Sequence, residues 1–375
     1  MKNMINAKKI AYDLHIFLLI ATLLIIIGLL FIYSASSVLA FEKHGSSSYF
    51  LIKQLFGLGL GTVALITARY FPFKLLVKIA PIAFIASLLL TILTLIPGFA
   101  HHIHGSSRWL AIGGFSFQPS ELLKIGLILY IAAFLTKKEF QKKSFLHCYL
   151  PLLFVIGITS LALLKQPDFG LTVTLLITGG IMLFVAHIPL LYLASTIAAL
   201  IPVLITLVVM RPYRVNRILS FLNPWSDPQG SGFQIIQSLI AIGSGGLFGL
   251  GIGQSKQKFF YLPMQHTDFI FSIIAEETGF FGAFIIIMLF IALIYFGLRL
   301  ATRFNTQFSF LATTGFICLI GLETAINIAV ATALAPTKGI GLPFISYGNS
   351  ALIGNLIMIG LIMNMSHNEK ELRQR

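Results

Sequence analysis

Charge is the first thing this sequence lacks. Only 10% of its 375 residues are Asp, Glu, Lys or Arg, against about 25% in a soluble globular domain, and twelve in all are carboxylates. A chain so poor in charge cannot clothe a water-facing surface, which excludes an ordinary soluble domain. Cysteine is scarce too. Cys148 and Cys318 stand far apart, so neither a disulfide framework nor a thiolate metal centre is supported. The alternating ten-residue segments that build a transmembrane barrel are also missing. What is present is apolar: 57% hydrophobic residues and a mean hydropathy of +0.93. It comes in recurring runs of about eighteen residues or more, each long enough to cross a hydrocarbon core of about 30 Å.

The pattern predicts an all-α polytopic membrane protein, one integral domain over 1–375. Ten spans are expected at about 14–40, 49–69, 73–96, 119–135, 148–165, 169–186, 188–210, 268–298, 308–333 and 349–365. Short tails at 1–13 and 366–375 flank them, and a long outer loop fills 211–267 between the seventh and eighth. The first run is too long for a signal-peptide core and lacks a small-residue cleavage site, so it reads as a retained span. The net charge of +14 invites a nucleic-acid reading, but its distribution argues against one. With the amino terminus inside, fifteen cations fall on the cytoplasmic side: Lys2, Lys8, Lys9; Arg69, Lys74, Lys78; Lys137, Lys138, Lys142, Lys143; Arg299, Arg303; Lys370, Arg373, Arg375. The short outer loops hold four, namely Lys43, Arg108, Lys165 and Lys338. This is the positive-inside bias, and it places both termini in the cytoplasm. The basic excess serves topology and contact with anionic lipid, with no nucleic acid implied.

Residues 259–282 break the apolar pattern. The polar run Gln265-His266-Thr267-Asp268 enters an apolar helix that itself carries Glu276 and Glu277. A carboxylate there costs roughly 2.5–3.5 kcal/mol on insertion scales, so function is the default reading. Asp268, at the outer boundary, is the candidate for chemistry or a helix cap; Glu276 and Glu277 lie deeper and suit internal packing.

Other outer segments supply partners. Arg108 and Trp109 form an interfacial pair, a cation for phosphate beside a ring at headgroup depth. The tract His101-His102-Ile103-His104 has no carboxylate nearby and reads as a solvated loop. Gln118-Pro119-Ser120 starts a helix whose first turn holds Glu121, favourable to the dipole, with Lys124 three residues on and able to pair with it. Asp168, in Gln166-Pro167-Asp168-Phe169-Gly170, can cap the sixth span or serve the site. Arg211, Arg214 and Arg217 repeat at spacing three, one helical face of cations. The glycine-rich run 243–253, ending at Gln254, allows close backbone approach to a helix or a diphosphate. In the second span Gly57, Gly59 and Gly61 read as a packing face, as do Ser34, Ala35 and Ser36 in the first.

Taken together, these motifs resemble the SEDS family, the polytopic glycan polymerases of bacterial cell walls typified by FtsW and RodA. The resemblance rests on Gly105-Ser-Ser-Arg-Trp-Leu, Gln118-Pro-Ser-Glu-Leu-Leu-Lys, Gln166-Pro-Asp-Phe-Gly, Phe221-Leu-Asn-Pro-Trp-Ser-Asp-Pro, Gly232-Phe-Gln-Ile-Ile-Gln-Ser, Ala241-Ile-Gly-Ser-Gly-Gly-Leu-Phe-Gly, His266-Thr-Asp-Phe-Ile-Phe and Pro336-Thr-Lys-Gly-Ile-Gly-Leu-Pro-Phe-Ile-Ser-Tyr-Gly. These run in order over nearly the whole chain. The Asn-Pro-Trp-Ser-Asp-Pro turn is more similar to the division members than to RodA. Two departures stand out. Met264 replaces a glutamate usual before His-Thr-Asp, and Asn349 replaces a glycine, a substitution eased by asparagine's tolerance of left-handed backbone.

The resemblance implies a glycosyltransferase that polymerises lipid II into β-1,4 glycan and releases undecaprenyl diphosphate during septal wall synthesis. It implies Asp268 as the essential base. Arg108, Trp109, Glu121, Lys124, Arg214, Arg217, Gln254, His266, Thr267, Lys338 and Ser346 would bind sugar or diphosphate. A class B penicillin-binding protein transpeptidase and other divisome proteins would be partners, in the inner membrane at the septum. No outer carboxylate cluster looks like a metal cage, which leaves a need for a divalent cation open. Three alternatives remain: a lipid II flippase or transporter, for which Lys53, Lys124, Glu276 and Glu323 could line a path; a RodA-like polymerase of elongation; and an inactive polymerase that recruits partners as a scaffold, which only Met264 supports.

Overall fold

The structure is a computed structural model that describes residues 2–96, 100–103, 106–112, 115–137, 144–210, 212–259 and 261–374. Helices dominate it. They are α1 (Lys2–His44), α2 (Tyr49–Tyr70), α3 (Phe73–Leu93), α4 (Ser120–Leu135), α5 (Leu150–Lys165, entered through a π turn at Phe145–Tyr149), α6 (Phe169–Val185), α7 (Leu190–Val209), α8 (Pro212–Leu222), α9 (Phe233–Ser244), α10 (Ile270–Ala301), α11 (Gln307–Ala331) and α12 (Asn349–Gln374). Between α3 and α4 lies an antiparallel sheet in the order β1 (Ala100–Ile103), β2 (Ser106–Ile112), β3 (Phe115–Phe117). In its register Leu110 pairs with both Ala100 and Phe117. The sequence reading took this stretch for loop, because three short strands carry too few residues to display a period.

Among the described residues, eight helices are long and apolar enough to cross a membrane. The fourth and sixth expected spans fall short, at 16 and 17 residues. Helix α4 is packed inside the bundle, burying Leu123 to Leu135 almost continuously, whereas α6 buries one face, with Gly170, Thr174, Thr178 and Met182 at helical spacing, and leaves Ile177 and Phe184 exposed. A helix shielded from lipid by its neighbours has no need to match the full hydrocarbon thickness. Small residues set the closest approaches, as packing in lipid requires. A Cβ on Gly57 would meet Asn349 Oδ1 at 2.5 Å and one on Gly61 would meet Leu356 at the same distance, while Gly59 faces open space. Asn349 therefore begins α12 against α2, and a left-handed backbone plays no part there.

The segment 211–267 is far from a plain outer loop. It holds α8 and α9, and its glycine run returns to the interior to dock on α10. Leu250 and Gly251 donate their N–H groups to the carbonyls of Glu276 and Glu277, both at 3.0 Å. Phe280 and Phe281 in turn donate to Gly246 and Leu247. Helix α10 is broken at this point by Gly279 (φ 68°, ψ −165°), a backbone region open essentially to glycine alone. A Cβ on Gly279 would lie 2.3 Å from the Gly249 nitrogen. The carboxylates complete the clamp. Glu276 accepts from Ser255 Oγ (2.5 Å) and from the N–H groups of Lys256 (2.8 Å) and Gln257 (3.4 Å). Glu277 accepts from Ser34 Oγ at 2.6 and 2.7 Å and sits 3.8 Å from Lys258 Nζ. Both acids thus serve packing, as expected, and Ser34 on α1 does more than permit close contact.

Candidate active site

The turn ahead of α10 gathers the polar run into one frame. Met264, with φ at 55°, reverses the chain, and its carbonyl accepts from the N–H groups of Thr267 (3.1 Å) and Phe269 (3.3 Å). Alongside lies the segment 336–348, between α11 and α12. Tyr347 N–H donates to the His266 carbonyl at 2.9 Å. Ser346 Oγ donates to the Thr267 carbonyl at 2.5 Å and accepts from Leu342 N–H at 2.7 Å. From α11, Asn327 Nδ2 donates to the carbonyls of Asp268 and Ile340, both at 2.8 Å. Irregular backbone at membrane depth survives only when buried in protein or lining a cavity. Here it does both.

The cavity measures about 940 Å³. Ten of the twelve residues singled out from the sequence line it: Arg108, Trp109, Glu121, Lys124, Arg217, His266, Thr267, Asp268, Lys338 and Ser346. Gln254 does not. It is exposed on the glycine turn, because that turn bends back toward α10 and away from the cavity. Arg214 falls in α8, with its side chain outside the described residues, as are those of His101, His102 and His104. Ser346 lines the cavity, yet its hydroxyl is already engaged in holding the 336–348 segment to Thr267. Residues the sequence reading did not place here are Lys43, Phe50, Glu323, Tyr347 and Asn355. Glu323 alone had a visible signal, a carboxylate inside an apolar span. Met264 also lines the cavity, where the resemblance leads one to expect a carboxylate.

Electrostatics divide the walls. Arg108 donates from Nε to the Gln166 carbonyl (3.2 Å) and from Nη2 to that of Pro167 (2.6 Å), and its Nη1 lies 3.4 Å from Asp168 Oδ2. Asp168 both caps α6, accepting from Leu171 N–H at 3.1 Å, and lines the cavity. Burial pushes its carboxyl above the usual range, opposed by Arg108 and the Leu171 N–H. Arg217 donates to the Thr337 carbonyl at 3.1 Å. Burial raises Lys338's tendency to lose its proton, with Asp168 opposing. Deeper in, Lys124 Nζ lies 2.7 Å from Glu121 and 2.8 Å from Glu323, tying α4 to α11. The expected Glu121–Lys124 pair is thus a triad.

Asp268 itself is pushed up to about 6, chiefly by burial, with Arg108 and Arg217 pulling it down and Asp168 pushing it further up. A carboxylate poised near neutrality, beside cations, can accept a proton and still be ionised at working pH. His266 is lowered to about 4 by burial and by Lys43, so its ring is neutral. Among the described residues no three His, Cys, Asp or Glu side chains lie together as metal ligands.

Comparison with known proteins places this geometry. Residues 14–371 match the model of the cell cycle protein family that joins FtsW, RodA and SpoVE. A probable peptidoglycan glycosyltransferase FtsW of Geobacter sulfurreducens is 42% identical over 96% of this chain and 97% of its own. The stage V sporulation protein E of Bacillus subtilis is 40% identical over 96% and 98%. Among solved structures, a chain of a peptidoglycan synthase complex that coordinates polymerization and crosslinking superposes with a TM-score of 0.78 at 30% identity, covering 94% of this chain and 97% of that one. The rod shape determining protein RodA of Thermus thermophilus follows at 0.69 and 26%, over 94% and 96%.

Proposed function

The chain belongs to the cell cycle protein family of FtsW, RodA and SpoVE, and from that membership and the cavity around Asp268 we propose that it is a peptidoglycan glycosyltransferase that polymerises lipid II, with Asp268 as general base. The observation that carries the mechanism is the Asp268 carboxyl, pushed up to about 6, lining a cavity shared with Arg108, Arg217 and Lys338. In the step itself, Asp268 takes the proton of an acceptor sugar hydroxyl as that oxygen bonds to the anomeric carbon of the donor. The bond from that carbon to the diphosphate breaks, and its electron pair leaves on undecaprenyl diphosphate. One displacement inverts the anomeric centre and yields a β link. Cations placed where charge develops supply the other half of catalysis. A positioned base contributes roughly 10²–10⁴-fold.

Met264 does not undermine this reading, since one base suffices for one proton. The solved relative that works as a synthase complex supports a transpeptidase partner of the penicillin-binding class, and the FtsW-named relatives support action at the septum with other divisome proteins, in a multi-pass membrane setting. The test is polymerisation of lipid II by the purified protein, alone and with that partner, in the presence and absence of chelator. Asp268→Asn is expected to lose glycan synthesis by at least about 100-fold while keeping its fold. Full synthesis by that variant refutes the base. Movement of lipid II across vesicles with no glycan made favours a transporter instead.

A further inference from the structure

The cavity is lopsided in its chemistry. One wall, from β2, the turn before α6, α8 and the 336–348 segment, carries Arg108, Asp168, Arg217 and Lys338. The other, where α1 and α2 meet the turn before α10 and Tyr347, carries the rings of Phe50, His266 and Tyr347 and a single cation, Lys43. On that second wall Phe50 lies 4.7 Å from the His266 ring and 5.1 Å from that of Tyr347, with His266 and Tyr347 5.6 Å apart. All three rings line the cavity. The imidazole is 8% exposed, and its Nδ1 is buried with no hydrogen-bond partner among the described residues. The imidazole is held in the cluster through its ring contacts with Phe50 and Tyr347.

A polymerase that joins two lipid-linked sugars must hold both at once, and they make different demands. The donor loses its diphosphate, so it needs cations where negative charge grows. The acceptor keeps its diphosphate and needs only its sugar ring oriented, with one hydroxyl toward the base. A pyranose ring offers an apolar face of polarised C–H groups, which suits the negative face of an aromatic ring. Only Thr267 separates His266 from Asp268, so a sugar seated on this wall reaches the base.

Resting on the polymerase reading above, we propose that Phe50, His266, Tyr347 and Lys43 form the acceptor subsite, seating the N-acetylated sugar of the lipid-linked acceptor on the ring cluster with one phosphate at Lys43, while the Arg108 wall holds the donor. His266 holds the ring cluster in place as a positioning residue, with no proton transfer of its own.

Binding stoichiometry tests this without chemistry. The Asp268→Asn chain in lipid nanodiscs, titrated with lipid II and read by native mass spectrometry, is expected to bind two molecules. Adding Lys43→Ala and Tyr347→Leu should leave one, and adding Arg108→Ala and Lys338→Ala instead should leave the other. Retention of one site in each set shows that the fold survives. In the active chain, Tyr347→Leu should raise the KM for lipid II about ten-fold with kcat little changed, and Tyr347→Phe should restore it. Two sites remaining after Lys43→Ala with Tyr347→Leu, or both sites abolished by that set alone, overturns the assignment. Neither result touches the polymerase reading, which stands or falls on polymerisation by the wild type, or the role of Asp268, which rests on its loss in Asp268→Asn.

Discussion

Asp268 is where a single residue carries the most. Burial holds its carboxyl near 6 against the pull of Arg108 and Arg217. A base must be ionised to act, so the rate should fall as pH drops through about 6 and level off above it. His266, neutral above about 4, adds no second limb in that range. The measurement is kcat/KM for lipid II polymerisation against pH; a profile flat down to pH 5 would remove Asp268 from the proton transfer. Lys124 gives a second prediction at this scale. Removing its ammonium in Lys124→Met leaves Glu121 and Glu323 buried and facing each other. Breaking a buried ion cluster from one side costs about 3–5 kcal/mol, so a clear fall in the thermal unfolding midpoint in detergent is expected. An unchanged midpoint would mean the triad is dispensable. The contrast between these residues and others marks what single residues reveal in a sequence. Asp268 and Lys124 are visible because a charge in an apolar segment is rare and costly. Phe50 and Tyr347 look like any other membrane aromatics, and nothing local shows that α2 and the 336–348 segment bring their rings together. Lys124 and Glu323 meet across 199 residues of chain, a distance no helical spacing can anticipate.

At the scale of elements, the broken helix α10 matters most. The glycine turn 243–253 and the interruption at Gly279 exchange backbone hydrogen bonds in both directions, so each half explains the other. The glycine alternation suggested close approach to either a helix or a diphosphate, and the structure resolves it in favour of the helix. What the sequence concealed was the return of the segment into the bundle, since its polar residues and turns read as an outer loop. Gly279→Ala is the sharp test. Its φ and ψ lie in a region that costs a side chain of order 1–3 kcal/mol, and its Cβ would strike the Gly249 nitrogen. The variant should unfold at a lower temperature and become open to proteolysis near 243–258, where Ser255, Lys256 and Gln257 would lose their hold on Glu276. Wild-type stability and protease resistance would show that the break imposes no strain. A normal midpoint with reduced polymerisation would instead locate the effect in the placement of Asp268, eleven positions earlier on the same element.

For the whole molecule, the arrangement of spans decides whether the chemistry is on the right side of the membrane. Apolar runs were legible because they dominate the composition, and ten helices stand near the expected places, eight of them long and apolar enough to cross a membrane. Orientation rests on the cation count alone, fifteen inside against four in the short outer loops, since a fold has no built-in sense of inside and outside. By that count the carboxyl end of α10, with Arg299 and Arg303, is expected in the cytoplasm and Asp268, at its other end, outside, where a lipid-linked sugar would present itself. Two exposed positions report on the two sides: Ser226, just beyond α8, and Thr302, directly after α10. In intact cells a membrane-impermeant maleimide should label Ser226→Cys, and should reach Thr302→Cys only after permeabilisation. The native Cys148 is buried and Cys318 half-buried, so a chain with both replaced serves as the control. The opposite pattern would turn the molecule over, leave Asp268 facing the cytoplasm, and with it defeat the assignment of wall synthesis to this cavity.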